Sequence, residues 1–139
     1  MDLSVEGINW LAVVVSSVVA FLIGGLWYGA LFSKQWVESY GFSEEQVQAM
    51  KGKQARNFAV FLLAGLVIAA AIAVIAPKLG IDTWMEGLQL GAFIWGGFVA
   101  TVLLVQHFAG NYKPAAFVID ATYQLLWFLS TGAIIAAWK

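Results

Sequence analysis

The chain has 139 residues, of which 62% are hydrophobic, 15% aromatic and only 11% charged, with a net charge of −1. A soluble domain carries roughly 25% charged residues to cover its surface, so a water-soluble four-helix protein is excluded for want of polar side chains. The near-neutral charge offers no field for nucleic acid, and the absence of cysteine rules out disulfides and thiolate metal sites.

The opening "MDLSVEGINW" is acidic, and the apolar run behind it is too long for a signal-peptide core. We therefore read it as an uncleaved first membrane span at about residues 8–32. A long polar connection follows at 33–57. Within it, Ser43 and Gln46 form a capping-box pattern flanked by Phe42 and Val47, which predicts a short surface helix over 43–51 with Val47 and Met50 on one side. The second span, about 58–76, stops at Pro77, which lacks the N–H that helix continuation needs. The third runs over about 84–106 to the turn "HFAGNYK". Pro114 then opens the fourth, at about 114–138, as a favoured first helical residue. Each span approaches or exceeds the 20 or so residues that cross about 30 Å of hydrocarbon. The expected fold is an all-α integral membrane protein, residues 1–139 forming one domain of four transmembrane helices in a compact bundle.

Charge sets the expected orientation. Lys34, Lys51, Lys53, Arg56 and Lys113 lie on one side and only Lys78 and Lys139 on the other. The positive-inside rule places segment 33–57 in the cytoplasm and both termini outside. Trp10, Trp84 and Trp138 then fall at the outer interface and Trp36 at the inner one, where amphipathic indoles settle.

Spans one and three share the pattern Ala-Phe-x-x-Gly-Gly, at Ala20–Gly25 and Ala92–Gly97. In lipid, helices associate by close packing, and small residues let backbones approach. Gly24, Gly25 and Gly29 in span one, and Gly87, Gly91, Gly96 and Gly97 in span three, are the expected packing positions. The doubled motif fits two parallel hairpin repeats, and equally a coincidence in Gly- and Ala-rich membrane sequence.

Asn9, Trp10, Gly24, Trp27, Tyr28, Gly29 and Trp36, with the "GFSEEQ" start of the surface helix, carry a resemblance. So do a third span with Trp and Gly before a His-containing end and a last span with a Tyr. The chain resembles the domain of unknown function 1761 family over essentially its whole length. That resemblance implies a small bacterial membrane protein with four spans, hence an expected multi-pass location in the cell inner membrane. It carries no activity that transfers to these residues.

Asp120 is the one clearly ionisable side chain away from the ends of a span, about 9 Å in from Pro114 by helical rise. Ionised aspartate at mid-span costs roughly 2.5–3.5 kcal/mol on insertion scales, so it is expected to face inward. Tyr123, Gln124, Trp127 and Thr131 share its helical face, while Trp27, Tyr28 and Thr101 fall at a comparable depth. One reading is a structural lock, with Tyr28, Trp27 or Thr101 donating to Asp120. The other is a proton, cation or small-ligand site walled by Trp27, Trp95 and Trp127. His107 is expected as an interfacial capping group. No catalytic triad, paired carboxylate or metal-ligand cluster stands out, so neither an enzyme nor a cofactor is expected.

Two functions follow from these readings. One is a membrane protein binding or transporting a small ion, lipid or hydrophobic molecule through Asp120 and its neighbours. The alternative is a non-catalytic accessory protein acting through helix association. The expected partners are membrane lipids and, because four helices enclose little space and Gly87 and Gly91 are expected on an open face, a second copy of the chain.

Overall fold

A computed structural model describes residues 1–139. The chain is all-helical, with no strand, and four of its helices are long and apolar enough to cross a membrane by length and composition: Trp10–Leu31, Gln54–Leu79, Trp84–Ala109 and Pro114–Ala137.

Helix α1 (Trp10–Gly25) starts at Asn9, whose side chain accepts from the Ala12 N–H at 3.1 Å. The Asn9 amide also donates to the Trp138 carbonyl, tying the helix start to the chain end. A π-helical segment, Leu26–Leu31, continues α1. Helix α2 (Ser33–Tyr40) then runs to Gly41, which sits at φ 73°, a left-handed stop open to glycine without penalty. Ser43 caps α3 (Glu44–Gly52), with the reciprocal Ser43–Gln46 bonds both formed. Helix α4 (Gln54–Ile75) begins within the polar "QARN", and a short 3₁₀ turn, Pro77–Leu79, ends its line. A second capping box, Thr83 with Glu86, starts α5 (Trp84–Ile94). Another π-helical segment, Trp95–Val99, joins α5 to α6 (Ala100–Ala109), and Pro114 opens α7 (Pro114–Ala137).

Helix α7 is the organising element. It packs against α1 and α4 on one side and α5 and α6 on the other, with α2 against it as well. It also contributes the largest set of buried residues. Antiparallel hairpins α1–α4 and α5–α7 are held by small residues. Gly65 abuts Ser17, whose hydroxyl donates to the Leu62 carbonyl at 2.8 Å. Gly87 and Gly91 lie directly under the α7 backbone at Gly132 and Phe128.

Two sequence expectations about glycines change here. Gly87 and Gly91 are buried inside the chain and present no open face to a second copy. Gly25, Gly29, Gly96 and Gly97 border open space instead of helix contacts, and only Gly24 of its motif touches a neighbour, the Tyr123 ring. The reason is local. Both doubled motifs run into π-helical turns, whose wider winding accompanies indoles turned toward α7. The Trp27 indole donates to the Ile119 carbonyl at 3.0 Å and the Trp95 indole to the Ala121 carbonyl at 2.8 Å. The repeated motif thus marks two clamps on the α7 backbone either side of Asp120.

Candidate functional site

Asp120 projects from the second turn of α7 into a cluster of four residues supplied by three other parts of the chain. Its Oδ1 accepts from the Tyr28 hydroxyl at 2.6 Å and the Trp36 indole at 3.2 Å. Its Oδ2 accepts from the Tyr40 hydroxyl and lies 3.0 Å from His107 Nε2. Tyr40 also reaches His107 Nε2 at 2.8 Å, and His107 Nδ1 lies 2.7 Å from the Leu103 carbonyl. Every lone-pair direction of the carboxylate therefore has a partner, as a buried charge requires.

Local sequence explains how these groups converge. The π-helical turn carries Tyr28 to α7. Trp36 and Tyr40 stand four apart on α2, on one helical face. The α2 helix is held to the α7 entry by a Lys113 N–H to Ser39 carbonyl bond of 3.3 Å, and the buried Ser39 hydroxyl caps back to the Trp36 carbonyl. His107, in the last turn of α6, is 7% exposed. Tyr112 packs against both Tyr40 and His107. Burial, and then the hydrogen bond to Asp120, push the Tyr40 phenol well above its ordinary range, which keeps it a donor.

A cavity of about 500 Å³ opens beside the cluster between α1, α2, α3 and α4. Asp120, Tyr28 and Trp36 form its inner wall. Phe21, Phe58 and Phe61 form its apolar side, with Phe21 edge-on to Phe58 at 5.0 Å. Ser33, Lys51, Gln54 and Asn57 supply polar groups along the lining. The size lies within the range of small-molecule sites, as does the combination of apolar walls with few convergent polar groups. The cavity is partly open and is formed by α2 and α3 together with the long helices, not enclosed by the four long helices alone. The short helices α2 and α3 lift a roof off the bundle end.

The other sequence-selected residues are spread around this centre. Trp27 and Trp95 bind α7 carbonyls and do not line the cavity. Trp127 stacks on Phe61 at 4.5 Å, and with Gln124 it lines a separate open groove against α4. Tyr123 is fully buried and donates to the Ala20 carbonyl at 2.7 Å. Thr101 is exposed and bonded back to the Gly97 carbonyl, and it is not among the partners of the acid. Trp36 and His107, expected at the interface and as a cap, belong to the cluster. Tyr40 joins them and is not among the residues that the sequence singles out. The Trp36–Tyr40 spacing, ending in a Gly41 stop, was the available signal. Ser16, Trp127 and Thr131 each bury a polar atom with no partner. No third His, Asp or Glu joins Asp120 and His107 in a set that could hold a metal.

The protein so described is all-helical, with four helices fit to cross a membrane and one buried acid–aromatic cluster beside a cavity. It belongs to the family described as protein of unknown function (DUF1761), whose model matches residues 11–136. No curated protein and no solved structure matches the chain.

Proposed function

We propose that this is a multi-pass protein of the cell inner membrane that binds a small molecule in the Asp120 cavity, without catalysis, as a receptor or carrier site. Large apolar side chains stay exposed along the long helices, among them Leu22, Leu63, Val67, Phe93 and Val105, which suits lipid as their solvent. Trp10, Trp84 and Trp138 are exposed at one end of the four helices, where an aromatic belt would sit. The observation that carries the binding reading is the placement of Asp120, Tyr28 and Trp36 on the wall of a cavity of about 500 Å³. A carboxylate needed only for packing has no reason to border open space.

A second reading keeps one specific support. The carboxylate is fully partnered within the chain, as a lock between the π-helical segment after α1, α2, α6 and α7 would be, and the protein would then be an accessory subunit. Native mass spectrometry of protein extracted gently from its own membranes separates the two. A stoichiometric small-molecule adduct, lost in Phe61→Ala or Asp120→Asn, is the expected result. A bare chain unchanged by both substitutions would favour the accessory role.

A further inference from the structure

The hydrogen positions in the Asp120 cluster can be counted from its acceptors. His107 Nδ1 faces the Leu103 carbonyl at 2.7 Å. A carbonyl only accepts, so Nδ1 carries a hydrogen. Nε2 then faces two oxygens, Asp120 Oδ2 at 3.0 Å and the Tyr40 hydroxyl at 2.8 Å. Tyr40 and Oδ2 also touch, so three polar atoms form a closed triangle. The Tyr40 hydrogen can serve one edge. If Nε2 were bare and the carboxylate ionised, two lone pairs would oppose each other at 3.0 Å. A second proton between Nε2 and Oδ2 relieves that opposition, and the Asp120–His107 pair with it is neutral.

The two carboxylate oxygens face different ways. The Oδ1 partners, Tyr28 and Trp36, line the cavity, whereas the Oδ2 partners, Tyr40 and His107, do not. The cavity thus borders the Oδ1 side of the acid, and His107 stands on the Oδ2 side. Beside the aliphatic Val37, Val47 and Met50, the lining carries Phe21, Phe58 and Phe61 in addition to Tyr28 and Trp36, and aromatic rings attract cations through the ring quadrupole. Lys51, the one cation on the lining, is an exposed residue of α3, where water and salt screen it. The α4 wall brings only neutral groups, Gln54, Asn57, Phe58 and Phe61. Around the pair itself stand Tyr28 from the π-helical turn, Tyr40 from α2 and Tyr112 from the loop before α7, all phenols.

We propose that the cavity takes a singly charged organic cation, and that its arrival at Asp120 releases the proton held between Asp120 and His107. This rests on the binding reading above and names the ligand class and its coupling. The charge balance is direct. The bound cation replaces the positive charge of the proton, His107 becomes neutral with its hydrogen on Nδ1, and the proton leaves for water at the α2 end. Tyr40, within reach of both Nε2 and Oδ2, has one hydrogen and covers one of these contacts at a time, so the opposition between Nε2 and Oδ2 returns when the proton leaves and the charge of the bound cation must offset it.

The test is titration calorimetry on the purified full-length chain in detergent. The probes are benzyltrimethylammonium and its neutral isostere neopentylbenzene, each in phosphate and in HEPES at one pH. The expected result is binding of the cation in preference to the isostere, with a heat that differs between buffers by about one proton released per cation bound. Affinity then rises with pH, by up to about tenfold per unit while the pair holds its proton. Asp120→Asn abolishes the preference for the cation, and His107→Gln abolishes the buffer-dependent heat. Near-UV circular dichroism checks that both variants fold, and the wild-type measurements decide the matter if they do not. Equal binding of both probes with no buffer-dependent heat, or binding of the isostere alone, would overturn the coupled cation site and leave the binding reading standing. Failure of both probes to bind would remove the binding reading and this proposal with it.

Discussion

Asp120 and the groups around it respond unequally to substitution, because what matters is the partner left behind. Asp120→Ala would strand Trp36, His107 and two phenols facing a void, and a buried pair broken from one side typically costs about 3–5 kcal/mol. Tyr28→Phe removes a single donor from a carboxylate that keeps three others. About 1 kcal/mol is expected there, so the ordering of the two variants in detergent melts is the check. Thr131 gives the opposite sign. Its hydroxyl is fully buried with no partner, and valine has nearly the same shape. Thr131→Val is expected to hold or raise stability by about 1 kcal/mol. A melt lowered by the valine would mean that the hydroxyl has a partner, such as a trapped water.

Between elements, backbone spacing decides which glycines matter. An added Cβ at Gly91 would meet the Phe128 carbonyl, and at Gly87 the Gly132 carbonyl, backbone on both sides with nothing flexible to yield. Gly91→Ala is therefore expected to cost about 1–3 kcal/mol through overpacking. Gly25→Ala and Gly96→Ala meet open space and are expected to be neutral or to gain up to about 1 kcal/mol from helix propensity. Thermal unfolding of the three variants side by side tests the contrast. Sequence alone does not separate these glycines, since all lie in apolar helices rich in small residues. The long helices themselves were legible, because runs of uncharged residues of this length have few other uses. So was Asp120 as the polar centre, standing alone in an apolar span. The π-helical turns were not, for winding depends on which carbonyls the Trp27 and Trp95 indoles find on α7. Helix α2 was hidden for a related reason. "SKQWVESY" is polar enough to read as a connection, and its value lies in Trp36 and Tyr40, whose partner is 80 or more residues away.

For the molecule as a whole, the side on which the cavity opens determines what can reach it. The cavity lies at the end carrying α2 and α3. That end also holds Lys34, Lys51, Lys53, Arg56 and Lys113, while the opposite end holds Lys78 and Lys139, the latter in an exposed ion pair with Asp82. Positive charge near span ends is retained in the cytoplasm, so the cavity is expected to face inward, supplied from the cytoplasm or the inner leaflet. The chain has no cysteine, which makes single-cysteine labelling clean. Glu45→Cys, on the exposed first turn of α3, is expected to resist a membrane-impermeant maleimide in intact spheroplasts and to react after lysis. Ser4→Cys, in the exposed N-terminal segment, is expected to react in both. The reverse pattern would turn the cavity outward. A cation would then enter from outside and its exchanged proton leave on that side, so the same Asp120–His107 chemistry would serve capture from the exterior.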